Sequence, residues 1–153
     1  MDSLLELVLG TFDSWSRLVV RVVLGVIFFA HGAQKTFGWF GGRGFTATLD
    51  GFQQRLGIPR PAGALAALTE CFGGLALIVG LLARPAALGV AIVMLVAIAK
   101  VHWQHGFFVN FAGVPNKGHG YEFNLALLAM AVSVLIAGAG ALSLDLAIAG
   151  LLP

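Results

Sequence analysis

Charge is scarce in this chain. Only 10% of its residues are charged, whereas a soluble domain carries about 25%, so the chain cannot cover itself with polar surface. Cysteine is scarcer still: Cys71 is alone, which excludes an internal disulfide or dithiol relay within one chain. Lying beside Glu70 in an apolar run, Cys71 reads as an inert packing residue. Strand patterning is also missing, because the apolar runs are continuous and do not alternate, and this excludes a transmembrane β-barrel. Without strands, no Gly-rich nucleotide motif has its working context. The formal net charge of +2 comes from residues at the ends of apolar runs, so nucleic-acid binding has no support.

What is present is hydrocarbon. Apolar residues make up 59% of the chain, and its 21 Gly and 12 Phe suit helices that pack closely in lipid. A crossing takes about 20 mostly apolar residues, and four segments meet that length: residues 14–34, 61–82, 85–103 and 121–140. The second and third are separated only by "ARP", a tight reversal with Pro85 suited to a first helical turn. The expected fold is therefore an all-α integral membrane protein: an antiparallel four-transmembrane-helix bundle forming one domain over residues 1–153. Between the first two crossings, "FTATLDGFQQRLG" spaces Phe45, Leu49, Phe52 and Leu56 for an amphipathic helix, interfacial or re-entrant. The N-terminus starts acidic and lacks a basic region and a small-residue cleavage pattern, so no cleavable signal is expected there. Leu4, Leu5, Leu7 and Val8 suggest a short surface helix, and the segment ending at Pro153 is expected to lie similarly or to extend the last crossing.

The face with the long loops carries Lys35, Arg43, Arg55, Arg60, Lys100 and Lys117, against Arg17, Arg21 and Arg84 on the terminal face. The positive-inside rule places the long loops in the cytoplasm and both termini outside.

Against this frame the polar residues fall at one level. From the loop face, Glu70 lies roughly 13 Å along its helix, and His31 and Lys100 roughly 5 Å along theirs, by helical rise. His102, Glu122 and Asn124 are expected within about the first turn, with Lys35, His105 and His119 just above. An ionised carboxylate near mid-membrane costs about 3 kcal/mol even on insertion scales, so Glu70 must be protonated, paired or facing a wet cavity. Arg21 is within side-chain reach of its level. Two readings stand: an Arg21–Glu70 ion pair that only fixes packing, or an ionisable floor beneath a cavity walled by His31, Lys100 and His102. The aromatics crowding this level, Tyr121 among them, suit the ordinary interfacial belt. Combined with the charged groups, they also suit a flat amphiphile with a polar head. His102, His105, His119 and Glu122, spaced in threes, leave metal ligation open, as does a His31–His102 haem pair, but the spacing is unspecific. No metal is expected.

The motifs "FFAHGAQKTFGWFGG", "LGIPRPAGALAALTECFGGLALIVGLLARPAAL", "HGFF" and "GYEFNLALLAMAV", in that order over about residues 14–141, resemble the DoxX family of four-helix membrane proteins. The resemblance implies a subunit or partner of membrane redox systems, some members being linked to quinol oxidase or thiosulfate:quinone oxidoreductase and others to mycobacterial oxidoreductase complexes. The positions matching its polar pattern are His31, Gly32, Lys35, Glu70, Gly80, Arg84, His102, Gly106, Tyr121 and Glu122. Relatives with paired cysteines imply thiol redox, and the single Cys71 departs from them.

The first expectation is a small redox accessory protein or subunit of a quinone-linked oxidoreductase, not a self-sufficient enzyme, because electrons must come from a partner. Glu70, His31 and His102 are its candidate catalytic residues, with Lys35, Lys100, Tyr121, Glu122 and Arg21 as candidate ligand-binding residues. No intrinsic cofactor is expected, and quinone is the candidate ligand. The expected setting is the bacterial cytoplasmic membrane, with the lipid bilayer, redox or other membrane subunits, or a second copy of the chain as partners. The alternative is a non-enzymatic scaffold using Gly73, Gly74, Ala76 and Gly80 as an interface. A carrier for a small solute or proton is a third reading.

Overall fold

The computed structural model describes residues 7–11 and 13–151, and among these every regular element is helical. The surface helix expected around Leu4 and Leu5 and the end at Pro153 fall on or next to residues outside that range. Three helices are long and apolar enough to cross a membrane: α1 (Trp15–Thr36), α3 (Arg60–Val79) and α4 (Ala83–His105). Between α1 and α3 lies α2 (Phe45–Leu56). A shorter apolar helix, α5 (Glu122–Ala137), follows the long loop after α4, and α6 (Leu144–Ala149) is the last element.

The expected crossings differ at their ends for identifiable reasons. Gly80, at φ +69°, closes α3 earlier than residue 82. Asp145 accepts hydrogen bonds from the N–H groups of Leu82 (2.7 Å) and Ala83 (2.9 Å). These are orphan donors at a helix start, where a carboxylate is also favoured by the helix dipole, so α4 begins at Ala83 and Pro85 falls in its first turn. At the same end of the molecule α5 stops at Ala137, because the following chain turns through Gly138 and Gly140 at positive φ. That turn presents carbonyls to arginines: Arg17 Nη1 donates to Ala137 O, and Arg21 donates to Ala139 and Ala141.

The core is a seam of Leu24, Phe28, Leu77, Val90, Met94, Leu127 and Val134, with alanines filling the narrower levels. Along α1 and α3 the packing is closer still. A Cβ on Gly32 would lie 2.1 Å from the backbone N of Cys71, and one on Gly74 would lie 2.3 Å from the backbone N of Phe29. Missing side chains thus let two backbones touch, the contact that substitutes for hydrophobic drive in lipid. Gly74 and Gly80, expected above to face another subunit, are instead buried within this chain. Gly32→Ala is expected to destabilise by at least about 1–3 kcal/mol, the usual range for overpacking, because the clash is with backbone. A fall in unfolding midpoint in detergent checks it, and an unchanged midpoint would refute the close-contact account.

Candidate functional site

Closeness of α1 and α3 has a chemical consequence. It brings Lys35, in the last turn of α1, against Glu70 on α3, and Lys35 Nζ donates to Glu70 Oε2 in a direct ion pair. Glu70 is only 4% exposed, and a buried carboxylate is costly unless paired and hydrogen-bonded, as it is here by Lys35. The cation expected for this role, Arg21, is elsewhere. Its fully buried guanidinium donates to the carbonyls of Leu77, Ile78, Ala139, Ala141 and Leu142 at 2.7–3.1 Å. The reason is local: the ends of α3 and α5 leave carbonyls without helical partners, and they compete for Arg21 more directly than a carboxylate two turns away.

Two interruptions in the spans carry polar groups of the site. Residues Thr69–Gly73 of α3 and Ile98–His102 of α4 are π-helical turns, and such bulges are frequent at functional sites. One carries Glu70, the other Lys100 and His102. Each adds a residue to its turn and so re-aims the side chains that follow.

These groups wall a cavity of about 1250 Å³. His31, Lys35, Glu70, Lys100, His102 and Glu122 all line it, together with a mostly apolar surface that includes Phe28, Ile92, Met94 and Leu127. Thr69, His119 and Asn124 add polar groups that were not among the candidate site residues. Thr69 is the sequence neighbour of Glu70 and opens the same π turn. Asn124 is buried, and its amide donates to Met94 Sδ at 3.5 Å. Two candidates are not on the wall: Arg21, for the reason given, and Tyr121, which stacks on Trp103 at 5.3 Å and meets Phe107 edge-on at 5.5 Å.

Hydrogen bonds fix the rim. His102 Nδ1 donates to the carbonyl of His119 at 2.8 Å, which leaves Nε2 for a ligand. Glu122 Oε1 accepts from Val109 N at 2.8 Å, and its own N–H donates to Phe107 O at 2.9 Å. The loop between α4 and α5 is thereby tied to the start of α5. Among the described residues, no group of three His, Cys, Asp or Glu side chains is placed to hold a metal ion.

The family model for DoxX matches residues 16–103, more than half of the chain and the part that carries Lys35, Glu70, Lys100 and His102. The chain belongs to the DoxX family. It is accordingly an integral membrane protein, in keeping with its apolar helices. No match was found among curated proteins or among solved structures. Within the matched region of this DoxX-family chain, the Lys35–Glu70 pair is set in a cavity wall, with one π turn on each of two neighbouring spans.

Proposed function

We propose that this DoxX-family protein is a redox accessory subunit of the bacterial cytoplasmic membrane whose cavity receives the head of a quinone or quinol. The observation that carries the reading is a large, mainly apolar cavity with an ionised pair, Lys35–Glu70, in its wall. Ligand sites are mostly apolar with a few placed polar groups, and a membrane-depth carboxylate is a functional group by default. Leu65, Ile92, Val96 and Phe123 line the cavity and are also exposed on the helix surfaces. An amphiphile therefore has an apolar way in from the side, with the four apolar helices set as an antiparallel bundle in the bilayer and α2 at its interface.

Each residue has a part in this reading. His102 Nε2 donates to a quinone oxygen when the ring is protonated and accepts from a quinol hydroxyl when it is neutral. His31 offers a second such contact from α1. Glu70 exchanges protons with the head, while Lys35 and Lys100 offset negative charge developing on it. Reduction takes up two electrons and two protons, and the electrons come from a partner subunit carrying a flavin, haem or metal centre.

The test is native mass spectrometry of protein extracted gently from its own membranes. A stoichiometric isoprenoid quinone that is lost on Glu70→Gln and on His102→Ala is expected. Intact protein with partner subunits and no quinone, in wild type and variants alike, would refute the pocket and favour a scaffold.

A further inference from the structure

Behind the Lys35–Glu70 pair lies a second cavity, of about 390 Å³. Lys35, Phe52, Leu56 and Val101 line both cavities and form the partition between them. Lys35 Nζ also sits 5.9 Å from the centre of the Phe52 ring. The charge on the far side is of one sign: Arg43 and Arg55 line the smaller cavity, and no carboxylate does. Arg60, also basic and nearby in sequence, is paired with Asp50 and is outside the wall. Among the described residues neither Arg43 nor Arg55 has a hydrogen-bond or ion-pair partner.

The space between the two arginines is built in. Ala47, Gly51 and Arg55 recur every four residues and so share one face of α2. Small residues at 47 and 51 keep that face open, and a Cβ on Gly51 would meet nothing within 4 Å. Two planar guanidinium groups and a share of the Lys35 ammonium, which has two donors left after Glu70, suit a multidentate oxyanion. Trp39 and Phe40, both exposed, lie in the adjoining turn, as aromatic side chains do at the headgroup level of a bilayer.

We propose that this smaller cavity binds a phosphoryl group, through Arg43 and Arg55 with Lys35 as the wall shared with the larger cavity. A phospholipid headgroup and free phosphate present the same chemistry. The assignment shares only Lys35 with the quinone reading, and the variants that test it leave Lys35, Glu70 and the histidines in place.

The full-length protein is reconstituted in phosphatidylcholine nanodiscs with and without phosphatidylglycerol, and the lipids retained on gentle release are weighed by native mass spectrometry. Inorganic phosphate is titrated separately against protein in neutral detergent. Selective retention of phosphatidylglycerol is expected, reduced about tenfold or more by Arg43→Gln with Arg55→Gln. Gly51→Leu should reduce it likewise by filling the cavity. That variant changes no charge, and it replaces glycine inside a helix with a better helix former, so folding is kept. Arg60→Gln should leave retention unchanged. Phosphate binding that both sets of variants abolish, without lipid selectivity, would keep the site and assign it to free phosphate. The proposal is overturned if neither probe binds, if Gly51→Leu binds as wild type does, or if Arg60→Gln weakens binding as much as the double variant. Quinone loss or retention in the same spectra reports on the larger cavity independently.

Discussion

Arg21→Met is expected to cost at least about 3–5 kcal/mol, the range for breaking a buried charged network by removing one partner. The unfolding midpoint in detergent and the amount of protein reaching the membrane should both fall steeply. The guanidinium makes five hydrogen bonds, to Leu77, Ile78, Ala139, Ala141 and Leu142, and a thioether replaces none of them. The contacts to Leu77, Ala139 and Ala141 are buried, where an unsatisfied carbonyl carries its full desolvation cost. Asp145, 1% exposed and holding the start of α4, loses a favourable charge in the same step. Burial already pushes its carboxyl up from the usual carboxylate range, against the pull of the Ala83 and Leu82 N–H groups and of the Arg21 and Arg84 charges. Losing Arg21 pushes it higher.

The sign of the pH effect follows. A carboxyl raised in the folded state binds more protons folded than unfolded, so stability falls as pH rises from the ordinary carboxylate range through the folded value. Since the shift is larger in the variant, its deficit against wild type should widen from acid to neutral pH. A deficit that stays constant or narrows would exclude Asp145 as the coupled group, and a midpoint near that of wild type would exclude the carbonyl network itself.

The contrast between Arg21 and Lys35 shows how far the sequence can be read. Hydrophobic run length located the three long spans α1, α3 and α4 to within a few residues, because about 20 apolar residues in helix span a bilayer whatever their neighbours do, whereas the fourth segment holds only the shorter helix α5. Helical rise also placed His31, Glu70, Lys100, His102 and Glu122 in one half of the membrane, and all of them line one cavity. Pairing was not legible, because it depends on rotation and on local breaks in the helix. Glu70 and Lys100 sit on π turns, and a regular 3.6-residue projection misplaces whatever lies on or after such a turn. Gly32 carried the missing signal. A glycine one turn before Lys35 is what lets α1 approach α3 closely enough for that lysine, and not the deeper Arg21, to meet Glu70. Arg21 in turn was claimed by carbonyls at helix ends that exist only once Gly80 and Gly138 have terminated their helices.

Lys35→Met alone is expected to destabilise the protein substantially, and Lys35→Met combined with Glu70→Met to restore most of the loss. Removing one member of a buried pair leaves an uncompensated charge, at a cost of about 3–5 kcal/mol, whereas replacing both by apolar groups is often neutral or stabilising. A double-mutant cycle on unfolding midpoints isolates the pair, provided neither methionine makes a new contact. Ligand binding separates the roles of the pair in a way stability cannot. If Lys35 and Glu70 serve the quinone head, the double variant should be as stable as wild type and yet retain no quinone, with at least about tenfold weaker binding, as expected on losing a charge-assisted contact. If they serve only packing, the stable double variant should retain whatever the wild type retains. A double variant that stays as unstable as Lys35→Met would contradict both, because it would mean that Glu70 is held by something other than Lys35, against the direct contact of Nζ with Oε2.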